Sequence, residues 1–95
     1  MQCEVYDTYV TKQDGTVMHF DVIVPVGSTY DQVLAFGQSY LTRVGQAGQP
    51  LTAQECKFCH IEIASPEVEA AIQRRGYYIL ALAGCPIPIS DELKQ

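Results

Sequence analysis

Two strand-like stretches flank Asp14-Gly15, and this arrangement constrains the chain more than any other feature in it. Residues 2–10 (Q-C-E-V-Y-D-T-Y-V) are rich in Val, Tyr and Thr, side chains that pack well on a pleated surface. Residues 17–24 (V-M-H-F-D-V-I-V) repeat the pattern, and Pro25 ends it by removing a ladder donor. Asp-Gly suits a type I′ turn, whose two central residues both need φ > 0. Taken as a two-residue loop, it sets Tyr9 opposite Phe20 and Val5 opposite Val24. Alternation then places Met18, Phe20, Val22 and Val24 on one face, and His19, Asp21 and Ile23 on the other. Asp7 is out of place in this register, because it shares a face with Val5 and Tyr9. It is expected to be hydrogen-bonded to a helix start or to lie at an edge.

Beyond the hairpin, Gly27-Ser28-Thr29 precedes a helical pattern in which Ser28 is the expected N-cap and Asp31 stands at capping-box spacing. Tyr30, Val33, Leu34, Gly37, Tyr40, Leu41 and Val44 recur at steps of three and four, one apolar face of an amphipathic helix. Gly37 on that face implies a close approach to a sheet, and Gly45 is the natural terminator. A loop over 46–51 leads to Thr52 and Glu55, whose spacing predicts a single capped turn running into Cys56. Residues 58–63 alternate as a third strand. Ser65-Pro66-Glu67 opens a second helix with a serine cap, a proline at the first position and an acid in the first turn. Arg74 and Arg75 suit its negative end and Gly76 stops it. Residues 77–82 (Y-Y-I-L-A-L) form an unbroken apolar run, expected as an interior strand covered on both faces.

The order β-β-α-β-α-β predicts an α+β domain in two layers: a mixed four-stranded sheet with two helices on one face. The third and fourth strands are expected to run parallel through a right-handed crossover. One domain over residues 1–85 is expected, followed by a loosely attached tail over 86–95 that carries Pro86, Pro88 and a polar end.

Charge narrows the function classes. Six basic against eleven acidic residues give a net charge of −5, and the basic ones are scattered. Such a chain supplies no phosphate-tracking stripe and no basic surface for anionic lipid, so neither nucleic acid nor membrane is an expected partner. No apolar run approaches the roughly 18 residues of a membrane span, and no signal-peptide pattern opens the sequence. The expected compartment is the cytoplasm, with the four cysteines reduced.

Chemistry concentrates at Cys56-Lys57-Phe58-Cys59-His60, followed by Glu62. The C-x-x-C-H spacing is that of covalent haem attachment, but such attachment belongs to oxidising, exported compartments and a strand follows the motif directly, so haem is not expected. Two cysteines two residues apart form half of a zinc site. The missing half would come from the sheet, giving the candidate ligands Cys56, Cys59, His19 and either His60 or Glu62, with a bend needed for Cys59 and His60 to reach one ion. The same spacing serves thiol redox chemistry, although a redox cysteine ordinarily sits at a helix N-terminus. The plain alternative is that Cys56 and Cys59 are small buried hydrophobes. Thr8, His19 and Asp21 form a lesser candidate, an acid/base cluster if they share a face. There is no phosphate loop, nucleophile elbow or H-E-x-x-H.

With D-T-Y-V (7–10), M-H-F-D (18–21), G-Q-P-L-T-x-x-E-C-x-F-C-H-x-E (48–62) and G-Y-Y-I (76–79) assembled, the chain resembles a small bacterial family described only as a domain of unknown function. The resemblance runs to about residue 85. It implies a compact α+β domain and carries no activity, cofactor or catalytic residue with it. The polar positions within its motifs, Asp7, His19, Asp21, Cys56, Cys59, His60 and Glu62, are natural site candidates on their chemistry, with Asp7, Asp21 and Glu62 a further polar group beside the metal ligands. The expectation is a small binding or interaction module, non-enzymatic, monomeric or weakly dimeric, with zinc or a thiol pair at Cys56/Cys59. The rival is a small redox protein or enzyme built on the same stretch.

Overall fold

A computed structural model describes residues 1–87; most of the tail expected over 86–95 lies outside the described residues. Six elements follow in the expected order: β1 (Gln2–Thr11), β2 (Val17–Pro25), α1 (Tyr30–Arg43), β3 (Cys56–Ile63), α2 (Pro66–Arg75) and β4 (Tyr78–Ala81). The sheet order is β3-β1-β2-β4, and the α+β class stands.

The hairpin closes one residue differently from a two-residue turn. Lys12 N–H donates to the Thr16 carbonyl at 2.7 Å, and Gly15 N–H donates to the Lys12 carbonyl at 2.9 Å. The loop is therefore Gln13-Asp14-Gly15, a turn followed by a left-handed residue, with Gly15 at φ 88. The Asp14 carboxylate accepts from the Thr16 hydroxyl at 2.7 Å and from its amide at 3.0 Å, an Asx-type brace for the extra residue. This single residue moves the register: Tyr9 lies opposite His19, Asp7 opposite Asp21 and Val5 opposite Ile23. Because side chains alternate, a shift of one exchanges the whole face of β1. Tyr6, Thr8 and Val10 join Met18, Phe20, Val22 and Val24 on one face, while Cys3, Val5, Asp7 and Tyr9 join His19, Asp21 and Ile23 on the other.

Every neighbouring pair is antiparallel, which corrects the mixed sheet expected from sequence. β3 and β4 are not neighbours; they are the two edges. Their connection must cross the full width of the sheet, three interstrand gaps or about 14 Å. A ten-residue helix is about 15 Å long, so α2 suits a bridge across the strands rather than a crossover along them. The two helices also lie on opposite faces, not on one. Val33, Tyr40 and Leu41 of α1 pack with Tyr6, Val10, Met18, Phe20, Val22 and Val24. Val68 and Ile72 of α2 pack with Cys3, Val5 and Ile23. β4 is accordingly an exposed edge, with Ile79 turned to the larger core and Leu80 left 40% exposed.

The helix ends follow their sequence signals closely. α1 is capped by Thr29, one residue later than expected, in a reciprocal box with Gln32, while the Ser28 hydroxyl donates to the Pro25 carbonyl. At the other end Gly45 N–H donates to Thr42 and Gln46 N–H to Leu41, a paired closure that needs the positive φ of Gly45. α2 begins on the Ser65 cap with Pro66 in its first turn and stops at left-handed Gly76.

β3 carries Phe58, Ile61 and Ile63 in exposed positions on an open edge. Its ladder with β1 slips between Val5 and Tyr6: His60 pairs with Val5 and Phe58 with Tyr6, leaving Cys59 as the extra residue of a bulge. Bulges of this kind twist an edge and discourage pairing with another chain.

Candidate functional site

The uncovered half of the α2-side face holds the chemistry. α2 shields Cys3, Val5 and Ile23, and the next positions along β1 and β2 on that face are Asp7, Tyr9, His19 and Asp21. Asp7 and Asp21 are directly opposed across the ladder. The His19 Nε2 atom lies 2.5 Å from the Asp7 Oδ1 atom, and the Tyr9 ring stacks on the imidazole with centroids 4.1 Å apart and planes within 8°. Donor atoms of Asp7, His19 and Asp21 all fall within 4.8 Å of one another, and each residue is half-buried.

The backbone beneath His19 is held from the far side of β2. His19 N–H donates to the Ala83 carbonyl at 2.7 Å, and the His19 carbonyl accepts from Leu82 N–H at 3.0 Å and from the Cys85 thiol at 3.2 Å. Residues 82–85 thus belong to the sheet's support.

Electrostatics mark Asp21 as the frustrated member. Its carboxyl is held above the usual carboxylate range, first by burial and then by the charge of Asp7 across the ladder. A hydrogen bond shared with Asp7 pushes the same way, while His19 and, more weakly, His60 oppose it. Like charges directly opposite on neighbouring strands are destabilising, so this pair calls for either a proton or a cation.

The remaining candidates are scattered. Cys56 is fully buried on the α1 side, in the core with Tyr6 and Tyr40. Its sulfur lies 3.3 Å from the Thr8 hydroxyl, and its carbonyl accepts from the Tyr30 hydroxyl. Burial pushes the Cys56 thiol up, although the Thr8 hydrogen bond works against it. Thr8 is therefore a buried core residue on the opposite face from His19 and Asp21, not part of an acid/base cluster with them. Cys59 is exposed at the bulge. His60 pairs instead with Glu62, Nε2 to Oε1 at 2.8 Å, both on the surface. Among the described residues the group able to hold a metal is Asp7, His19 and Asp21, and it includes none of Cys56, Cys59 and His60. Of the expected metal ligands, His19 alone lies in it, joined by the two aspartates named as further polar candidates.

Two neighbours of the site were not singled out from sequence. Tyr9 was one of several tyrosines, and only the corrected register brings it onto His19. Lys57 lies opposite Asp7 on the third strand, a position set by a pairing some fifty residues apart in the chain. A separate groove of about 470 Å³ runs between Gln38, Leu41 and Thr42 of α1 and the loop over 48–52, and no titratable side chain lines it.

Reactivity should follow this layout. In native protein, iodoacetamide is expected to modify Cys59 first, with Cys3 and Cys56 at least about tenfold slower because both are buried and their thiols are raised. Time-resolved peptide mass analysis checks the order. Equal rates for Cys56 and Cys59, or a disulfide between them under mild oxidation, would contradict the burial seen here.

The whole fold and its site fall within one family. The model of a family described as "Domain of unknown function (DUF2024)" matches residues 1–82. The chain belongs to this family. A solved structure resembles it throughout: the NMR structure of protein NE1680 from Nitrosomonas europaea is 45% identical, with a TM-score of 0.79, over 90% of this chain and 99% of that one. No curated protein matches the chain. The DUF2024 match spans β1 to β4 and so contains Asp7, His19 and Asp21. No helix among the described residues is long and apolar enough to cross a membrane.

Proposed function

We propose that this DUF2024 domain is a binding module centred on a divalent cation held by Asp7, His19 and Asp21. The observation that carries the reading is the direct opposition of Asp7 and Asp21 with His19 against them. Two carboxylates forced together on adjacent strands are costly alone, and a cation between them reverses the sign of that interaction. One imidazole and two carboxylates suit zinc or another first-row ion better than calcium or magnesium, which favour all-oxygen sites. Zinc thus remains the expected cofactor, with ligands drawn from β1 and β2 rather than from the C-x-x-C stretch. The site's rigidity supports this reading: it sits on two paired strands at the centre of the sheet, with His19 fixed on both sides of its backbone.

Titration calorimetry at pH 7 tests it. One zinc per chain is expected for the native protein, with magnesium giving no heat. Removing a mere outer-shell partner weakens a metal site 10–100-fold, so His19→Ala, which deletes a direct ligand, is expected to weaken zinc by about 100-fold or more. Unchanged zinc affinity in His19→Ala would sink the assignment.

A further inference from the structure

The metal reading leaves an open side. Three protein donors do not fill the four or more positions of a zinc ion, and all three residues stay accessible on the sheet face. What surrounds that opening narrows the chemistry of the occupant. The row through the site runs Lys57, Asp7, Asp21, Leu80 across all four strands, so these side chains share a face. Lys57 is exposed and forms no ion pair among the described residues, while Asp7 is engaged by His19. Leu80 and Tyr9, 40% and 47% exposed, stand beside Asp21 and His19.

Charge decides the class of anion. A divalent ion against two aspartates is neutral, and Lys57 leaves one positive charge over. A monoanion balances the row, whereas inorganic phosphate, with about one and a half negative charges at neutral pH, exceeds it. The half-exposed Leu80 and Tyr9 offer apolar surface that a bare inorganic ion leaves unused. We infer that, resting on the metal reading above, the module captures a small organic monocarboxylate. Its oxygens meet the cation and the Lys57 ammonium, and its apolar body lies against Leu80 and Tyr9.

The experiment uses zinc-loaded protein titrated with phenylacetate, with inorganic phosphate and acetate beside it. Phenylacetate is expected to bind more tightly than either. Lys57→Met is expected to weaken phenylacetate about tenfold through the loss of one charge-assisted hydrogen bond, while one zinc per chain is still bound. Zinc binding without phenylacetate binding overturns this inference alone, as does phosphate binding more tightly or a Lys57→Met variant that binds phenylacetate like the native protein. Absence of zinc binding overturns both this inference and the metal reading beneath it.

Discussion

Saturating zinc is expected to raise the thermal midpoint of the protein by about 10–20 °C. A ligand at a hundred times its Kd adds about 2.7 kcal/mol to the folded state, and each kcal/mol moves the midpoint of a domain this size by about 4–8 °C. The gain should be largest where the empty site is most strained, and pH controls that strain. Asp21 titrates above the ordinary carboxylate range in the fold because of burial and Asp7. The folded chain therefore holds this proton more tightly than the unfolded chain does. Its contribution to stability is fully present below the unfolded carboxylate pKa and is lost as pH rises through the raised value. At pH 7 the empty site is accordingly a net cost, which gives Asp21→Asn an unusual expected sign. Without metal, Asp21→Asn should stabilise the domain by about 0.5 kcal/mol, the usual scale of a like-charged cross-strand pair, and should lose the zinc response. Differential scanning fluorimetry from pH 4 to 8, with and without zinc, reads both effects. A zinc response that survives in Asp21→Asn would count against the site.

Phe20→Ala should be the most damaging single change in the core, at about 4 kcal/mol. Phe20 is wholly buried at the centre of the larger cluster. It meets the Tyr40 ring edge-on at 4.8 Å between centroids and projects from β2, a central strand, toward α1. Domains of this kind have only about 5–15 kcal/mol in total, so this loss takes a large part of the reserve. The residue also lies between His19 and Asp21 on the opposite face of β2, so relaxation around the vacated volume should reach the site. Urea denaturation followed by circular dichroism is expected to show a much lower midpoint, or no cooperative transition. A cost below about 1 kcal/mol would mean the core is not organised around this ring.

Much of the fold was legible because its signals are local. The Thr52–Glu55 turn, the Ser65-Pro66 helix start and the Gly45 and Gly76 stops are each written within a few residues and appear as expected. The hairpin shows where local reading fails. Asp14-Gly15 serves a two-residue or a three-residue loop, and the choice exchanges the faces of β1. The clue was Asp7, which fits badly beside Val5 and Tyr9 on an apolar face. Moving it by one residue sets it against Asp21 and His19, and assembles the site. The strand order was beyond such signals, since β3 joins β1 across about half of the chain and the bulge at Cys59 breaks its alternation. The C-x-x-C-H stretch is divided for the same reason: the long-range pairing of β3 and its bulge leave Cys56 in the core and Cys59 on the surface.

The measurement that bears most directly on the central claim is native mass spectrometry of three zinc-exposed proteins. These are the native chain, Asp7→Asn/Asp21→Asn, and Cys56→Ser/Cys59→Ser. One zinc on the native chain and on the cysteine variant, with none on the aspartate variant, is the predicted result. Zinc retained by the aspartate variant and lost from the cysteine variant would contradict it and return the metal to the C-x-x-C stretch.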